Sequence, residues 1–156
     1  MDSLERVEQA ERDVEVSELS LGDVRWGHAL PILQELRPHL TAESFAVIHA
    51  EGARQGLKFT GVFADGLCVA VAGWRIITNT SAVRKLYVDD LSVSPYTRSA
   101  GYGKLLLDHL TERAVDMGCT LIDLDSGVQR FDAHRFYLRE RFHIASHHFS
   151  KFLSEA

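Results

Sequence analysis

The sequence predicts an α/β fold with a mixed, mostly antiparallel central sheet flanked by helices. Three observations predict it. Segments with apolar residues at helical spacing alternate with runs rich in β-branched and aromatic residues. Asp65-Gly66 separates two of these runs, as the turn of an antiparallel hairpin does. A strand, a helix and another strand then follow one another, which is the order of a parallel crossover.

Two helices precede the hairpin. Pro38 closes the first, and Thr41 is the N-cap of the second, with Ser44 at the position of a capping-box side chain. The charged residues 1–11 are predicted to be frayed or to form a short surface helix. The predicted elements of this half are strands over 14–19, 58–64 and 67–78, and helices over 24–36 and from Thr41 to 53 or 54.

A long helix dominates the second half. Its apolar residues Leu106, Leu110, Ala114 and Met117 recur at helical spacing, and Gly118 ends it. The order along the chain is therefore β, α, α, β, β, β, α, β, α, β, in one domain of 156 residues. The predicted elements of this half are strands over 87–93, 120–125 and 147–153, a short extra strand near 143–144, and helices over 103–117 and 132–141.

Composition limits the function. The chain is 46% hydrophobic and 25% charged, which suits one globular core. No apolar run approaches the roughly 18 residues that span a bilayer, and the N-terminus lacks a signal-peptide core, so we expect a cytoplasmic protein without a membrane partner. A net charge of −5 argues against a nucleic-acid surface and mildly favours cationic substrates.

The cysteines and histidines do not form a recognisable metal site. Cys68 and Cys119 each lie in an apolar stretch without Cys-x-x-Cys spacing, which predicts buried free thiols. His147 and His148 are adjacent and would face opposite ways on a strand. His109 and His134 have no histidine at i, i+4 on their predicted helices, and His143, four residues before His147, is not predicted to lie on a helix. We therefore expect no metal.

The segment from Arg98 to Gly103 predicts an anion site. It joins the strand ending at Val93 to the long helix, so free backbone N–H groups and the positive end of the helix dipole converge there. Arg98 adds a positive charge, and the glycines let a phosphate approach the backbone. A dinucleotide fingerprint would need glycine at Leu106, and a P-loop would need serine or threonine at Leu105.

The pattern Arg98-x-x-Gly101-x-Gly103, after a strand that ends in Val93-x-Pro95, resembles the acetyl-CoA signature of the GCN5-related N-acetyltransferases. The resemblance extends over about residues 14–153 and implies that family's fold, acetyl-CoA as donor and direct transfer in a ternary complex. It implies that the turn holds the pyrophosphate and that the strand lies along the pantetheine arm. The implied cofactor contacts are Leu91, Ser92, Val93, Arg98, Ser99, Ala100, Gly101, Tyr102, Gly103, Lys104, Arg130 and His134.

A later segment looks like another motif of the family, with Ala133, Tyr137 and Phe142 at the matching positions. The resemblance implies that Tyr137 is the general acid; its ordinary pKa of about 10 keeps it protonated beside a thiol whose pKa is about 8.5. The alternative is that Tyr137 is an aromatic of the helix's core face. The sequence departs from the family at Arg130, where asparagine is common, and at Arg141, where glycine is common.

The acceptor amine needs help, because only about 1 in 2,000 primary amines is neutral at pH 7. Asp89 and Asp90 are the candidates to hold or deprotonate it. Strand alternation lets one of them face the acceptor; Asp89 is favoured, since it would share a face with Leu91 and Val93, unless a bulge reverses the order. The alternative is that one acid pairs with Arg84 or Lys85.

Two other groups are candidates for the acceptor side. The backbone N–H near Leu91 would stabilise the oxyanion. Trp26 either packs in the core or lines the acceptor groove. The favoured function is therefore an N-acetyltransferase acting on a small amine, an amino acid or a peptide amine. The alternative is a non-catalytic acyl-CoA-binding sensor, and a homodimer through the closing strand is compatible with either.

Overall fold

A computed structural model describes residues 13–154 of the chain. The prediction for residues 1–11 lies outside this range. The elements in the described range are β1 Val14–Glu18, α1 Trp26–Leu36, α2 Ala42–Arg54, β2 Lys58–Ala64, β3 Leu67–Ile77, β4 Lys85–Val93, α3 Tyr102–Asp116, β5 Leu121–Leu124 and α4 Phe131–Arg139. None of the helices described is long and apolar enough to cross a bilayer.

The sheet has five strands in the order β1-β2-β3-β4-β5. The first three pairings are antiparallel. The hairpin between β2 and β3 turns at Asp65 and Gly66, whose φ angles of 51° and 81° are those of the tight turn that Asp-Gly favours. The predicted mixed sheet with flanking helices is confirmed.

The chain divides into two compact units after Asp123. The first unit contains β1 to β4, α1 to α3 and most of β5. The second begins at Leu124 and contains α4 and the segment that follows it.

In the first unit, β3 is buried on both faces. Val71 belongs to the core under α1 and α2, together with Leu33, Phe45 and Phe59. The alternate residues of β3, such as Ala72 and Trp74, are buried on the opposite face, where α3 packs against β3 and β4. This explains why the strand has a continuous apolar sequence rather than an alternating one.

The capping prediction for α2 is confirmed. The Thr41 hydroxyl accepts a hydrogen bond from the backbone N–H of Ser44 at 3.0 Å, and the Ser44 hydroxyl accepts one from the N–H of Thr41 at 3.0 Å. Both cysteines are free thiols, as predicted. Cys68 is buried, and burial raises its pKa to about 11, whereas Cys119 is only half-buried, so its predicted burial is not confirmed.

The predicted closing strand over 147–153 is wrong, and so is the short extra strand near 143–144. Residues 143–154 have no regular secondary structure, and Phe149, Phe152 and Leu153 are 92%, 92% and 96% exposed. Residues with high β propensity form a strand only where a neighbouring strand completes the ladder. The described part of this segment has no such neighbour.

Candidate active site

Strand β4 contains a β-bulge between Val88 and Asp90. Val88 lies opposite Trp74, and Asp90 lies opposite Gly73, so Asp89 has no partner on β3. An extra residue of this kind breaks the alternation of side chains along a strand. The bulge, meaning residues 88–90, therefore decides which way the two predicted acids point.

Both acids lie on the face of the sheet that packs against α1. Gly73 and Arg75 are two residues apart on β3 and share a face. The Asp90 carboxylate lies over Gly73, with Oδ2 3.1 Å from the position of a Cβ added there. The Asp89 carboxylate accepts two hydrogen bonds from Arg75, at 2.9 and 3.0 Å.

The bulge reverses the favoured orientation of Asp89, which was the exception allowed for in the sequence analysis. Asp89 does not share a face with Leu91 and Val93, because these two residues lie opposite Ala72 and Ala70 on the other face. Nor do the acids pair with Arg84 or Lys85. The Arg84 Nε donates to the Met117 carbonyl, and Lys85 pairs with Asp123 at 2.9 Å.

Asp90 pairs with Arg37, the residue that follows α1. The Arg37 Nε donates to the Asp90 Oδ1 at 2.9 Å, and its Nη2 donates to the backbone carbonyl of Asp89 at 3.3 Å. Burial raises the pKa of Asp90, and the Asp89 charge adds to the rise. The hydrogen bond and charge of Arg37, and the charge of Arg75, oppose it.

Gly73 makes room for this arrangement. A Cβ at Gly73 would come within 2.9 Å of the Phe59 ring and 3.1 Å of the Asp90 carboxylate. The roles of Gly73, Arg37 and Arg75 were not predicted from the sequence. An isolated glycine inside an apolar strand is the signal that could have indicated a bulge or a close approach at this point.

The predicted anion site forms a turn with two left-handed residues. We call residues 98–103 the glycine turn. Ser99 and Gly101 have φ angles of 75° and 85°, and a Cβ at Gly101 would meet nothing within 4 Å. Left-handed residues that alternate with right-handed ones point successive N–H groups into a concavity suited to anions.

Helix α3 begins within the glycine turn. Gly101 is its N-cap and supplies no side-chain cap, and the N–H of Leu105 donates back to the Gly101 carbonyl at 3.0 Å. The N–H groups of Tyr102 and Gly103 come before that first helical hydrogen bond. Arg98 is exposed, and in the described part of the chain no carboxylate forms an ion pair with it.

Three other residues predicted to contact acetyl-CoA lie on α3, in the glycine turn and on β4. Lys104 pairs with Asp108 at 3.0 Å on the exposed side of α3, and Ala100 is exposed. The Ser92 hydroxyl donates to the Ile32 carbonyl of α1 at 2.6 Å.

Trp26 lies in an aromatic cluster with Phe45, His49 and Phe59. Its indole N–H donates to the Ser20 carbonyl at 3.0 Å, and its ring centroid is 4.4 Å from that of Phe45. Burial lowers the pKa of His49 in this cluster. None of the ring contacts or hydrogen bonds of Trp26 among the described residues involves the bulge.

In the second unit, Tyr137 lies at the end of α4. Its ring centroid is 5.8 Å from that of Phe142 and 5.3 Å from that of Phe136. Burial raises the pKa of Tyr137, and the Arg130 charge partly opposes the rise. The phenol therefore stays protonated at neutral pH.

The other predicted residues of this unit lie at the start of α4. Arg130 is its N-cap and is exposed, and the His134 Nε2 is 2.7 Å from the Gly127 carbonyl. Arg141, just after the helix, has a φ angle of 67°. It adopts there the left-handed conformation for which glycine is preferred.

Within the described residues, no group of three or more His, Cys, Asp and Glu side chains could hold a metal ion.

Comparison with known proteins decides the family. Residues 26–142 match the acetyltransferase (GNAT) family. The chain belongs to this family. The resemblance stated from the glycine turn is thereby confirmed, together with the enzyme class, an acetyl-CoA-dependent N-acetyltransferase.

Individual relatives and one solved structure are similar to the chain. The chain is 32% identical over 128 residues to an uncharacterised N-acetyltransferase, YhdJ of Bacillus subtilis, covering 81% of this chain and 90% of the relative. It is 38% identical over 66 residues to the aminoalkylphosphonate N-acetyltransferase of Salmonella typhimurium, covering 42% and 43%. Aminoglycoside N-acetyltransferase AAC(6')-Iy, solved in complex with CoA, shares the fold with a TM-score of 0.79 at 14% identity, covering 92% of this chain and 97% of that one.

Proposed function

We propose that this chain transfers the acetyl group of acetyl-CoA to a primary amine, carried by a small molecule, an amino acid or a peptide. Family membership supports acetyl transfer. The observation that carries the choice of an amine is the bulge, because it brings two carboxylates to one face of β4. Carboxylates bind an ammonium group and accept its proton, directly or through water.

We propose the glycine turn as the site of the donor, which supplies an activated acetyl thioester. Arg98 and the N–H groups of Ser99, Gly101, Tyr102 and Gly103 bind the pyrophosphate, and the backbone of residues 91–93 lines the pantetheine arm. The Ala100 N–H donates to the Thr97 carbonyl at 3.1 Å, so the proposed contact of Ala100 does not use that group. Lys104, Arg130 and His134 are further proposed contacts. The open space at Gly101 and the unengaged charge of Arg98 support this assignment, because a phosphate needs both room and positive charge.

Asp89 and Asp90 are proposed to receive the acceptor. Asp90 is the better candidate for the base, since burial raises its pKa and a carboxylate of higher pKa is a stronger base, whereas Asp89 is held by Arg75 through two hydrogen bonds. The backbone N–H of Leu91 is the proposed oxyanion donor. We also propose that Trp26 lines the acceptor groove.

Tyr137 is proposed as the general acid that protonates the leaving thiolate. Its raised pKa supports this, because a phenol that remains protonated has a proton to give. The family match crosses the boundary between the two units, which supports a single acetyltransferase domain. We also propose a cytoplasmic location, which the free thiols of Cys68 and Cys119 favour.

A homodimer through the C-terminal segment, residues 143–154, is the proposed assembly. Ile144, Phe149, Phe152 and Leu153 are 77–96% exposed, and several large exposed apolar side chains in one segment favour a contact surface. Sedimentation analysis of wild type and Phe149→Ser/Phe152→Ser tests this. A monomeric wild type would rule out the dimer.

The test of the function is an acceptor panel with detection of the released thiol. The panel contains an aminoalkylphosphonate, suggested by the name of the Salmonella relative, together with amino acids, polyamines, an aminoglycoside and a peptide amine. We expect thiol release that depends on one amine class and is lost in Asp90→Asn. Binding of acetyl-CoA without thiol release for any amine would favour the non-catalytic sensor.

A further inference from the structure

Arg37 joins the end of helix α1 to two neighbouring residues of the bulge, Asp89 and Asp90. It follows the last residue of α1, and its backbone N–H still donates to the Leu33 carbonyl at 2.9 Å. Its side chain then reaches β4, where it binds the Asp90 carboxylate and the Asp89 carbonyl. One guanidinium thus holds a side chain and the backbone of consecutive residues.

The Asp89 carbonyl needs such a partner. A bulged residue has no opposite residue in the ladder with β3, so its backbone groups lack the regular hydrogen bonds to that strand. An unpaired carbonyl in a partly buried strand costs free energy. The rigid fork of arginine can satisfy that carbonyl and a neighbouring carboxylate together, which the single ammonium of lysine does less well.

The bulge also creates a repulsion that has to be balanced. Asp89 and Asp90 face the same side, and the charged groups that act on Asp90 are Asp89, Arg37 and Arg75. Arg75 is occupied by the Asp89 carboxylate, at 2.9 Å from its Nη2. Arg37 is therefore the cation that directly neutralises Asp90.

The two side chains of the Arg37–Asp90 ion pair differ in their exposure to solvent. The Arg37 side chain is 45% exposed, whereas that of Asp90 is 16% exposed. The carboxylate is thus held at the edge of the protein interior by a group that approaches from solvent. We propose that Arg37 is a positioning residue for acetyl transfer, which fixes the bulge and keeps the Asp90 carboxylate ionised and oriented for the acceptor amine. This proposal rests on the proposed function.

Loss of Arg37 should change the pH at which Asp90 becomes protonated. Burial favours protonated Asp90, and Arg37 favours ionised Asp90. Without Arg37, Asp90 takes up its proton at a higher pH than in wild type. A reaction that needs the carboxylate then loses rate on the acidic limb of its pH profile and regains it at high pH.

Two measurements test this, one of them independent of turnover. The first is a ¹³C NMR titration of the Asp90 carboxyl, assigned with Asp90→Asn, in wild type, Arg37→Met and Arg37→Lys. We expect the titration of Asp90 to move to higher pH in Arg37→Met and to lie between the other two in Arg37→Lys. Arg54→Met, which removes an exposed guanidinium at the end of α2, is the matched control and should leave it unchanged.

The second measurement is the pH profile of kcat/KM for the same variants. On the acidic limb we expect Arg37→Met to fall about tenfold, with recovery towards wild type at high pH and partial rescue by lysine. An Asp90 titration that does not move in folded Arg37→Met overturns the proposal, whatever the activity. Absence of turnover in wild type would instead contradict the proposed function, and the NMR result would still decide the role of Arg37 at Asp90.

Discussion

The bulge and the glycine turn use arginine in opposite ways. At the bulge, Arg37 and Arg75 each pair with a carboxylate, at 2.9 Å in both cases. At the glycine turn, Arg98 is exposed and forms no ion pair with a described carboxylate. The positive charge at the turn therefore remains available for an anion, whereas the charges at the bulge are balanced before any ligand arrives.

Under the proposed function, the bulge and the glycine turn serve two ligands of opposite charge. Backbone amides and an unengaged arginine favour a phosphate group. Carboxylates whose negative charge is already balanced can accept a proton or hold an ammonium without the full cost of two adjacent buried charges. Substitutions in each region should therefore affect one of the two proposed functions and not the other.

The largest effect is expected at the bulge. Asp90→Asn removes the group proposed to take the amine proton, and we expect kcat/KM to fall by about 10² to 10³. Steady-state kinetics with thiol detection measure it, and circular dichroism checks the fold. A fall of less than threefold in a folded variant would mean that Asp90 is not the base.

At the glycine turn, Arg98→Ala should weaken acetyl-CoA binding by about 10- to 100-fold, because a hydrogen bond to a charged group contributes about 1.5–3 kcal/mol. Isothermal titration calorimetry measures it. Arg54→Ala is the control for loss of a surface arginine. Equal acetyl-CoA affinities for wild type and Arg98→Ala would show that Arg98 does not bind the pyrophosphate at this turn.

The backbone of the glycine turn can be tested with a matched pair. Gly101→Ala and Gly22→Ala each place a side chain at a positive φ, 85° and 74°, with nothing within 4 Å of the new Cβ. Both should lose about 1 kcal/mol of unfolding free energy. Only Gly101→Ala should weaken acetyl-CoA binding, by roughly tenfold. Similar affinities in the two variants would show that the turn does not approach the ligand closely.

The smallest effect concerns a left-handed residue outside both regions. Helices α2, α3 and α4 end in the same hydrogen-bond pattern, with Gly56, Gly118 and Arg141 as the left-handed residue. Arg141→Gly should therefore raise the unfolding free energy by about 1 kcal/mol and leave acetyl-CoA affinity unchanged. Urea unfolding measures the gain, and Gly118→Arg should show the opposite sign.

Much of the fold could be predicted because its signals are local. Thr41 and Ser44 fixed the start of α2, and Asp65-Gly66 fixed the hairpin, since capping and turn geometry depend on a few neighbouring residues. The glycine turn was predictable for the same reason. The segment after α4 was not, because a strand requires a partner and local composition does not supply one.

A strict alternation of side chains along β4 could not predict which way Asp89 and Asp90 point. Whether Asp89 and Asp90 share a face depends on Gly73 of the neighbouring strand, which leaves room for the carboxylate, and on Arg37, 53 residues away along the chain. Such pairings are set by tertiary contacts. The sequence could identify the acids as candidates, but it could not orient them or identify the arginines that hold them.

The separation of the two sites is tested most directly by measuring both ligands on both variants. Acetyl-CoA affinity and acceptor kinetics would be determined for wild type, Arg98→Ala and Asp90→Asn. We predict that Arg98→Ala weakens acetyl-CoA binding while the acceptor KM, measured at saturating acetyl-CoA, stays within about twofold of wild type. Asp90→Asn should leave acetyl-CoA affinity within about twofold and lower kcat/KM for the amine. Loss of acetyl-CoA affinity in Asp90→Asn as large as in Arg98→Ala would contradict the separation of the two sites.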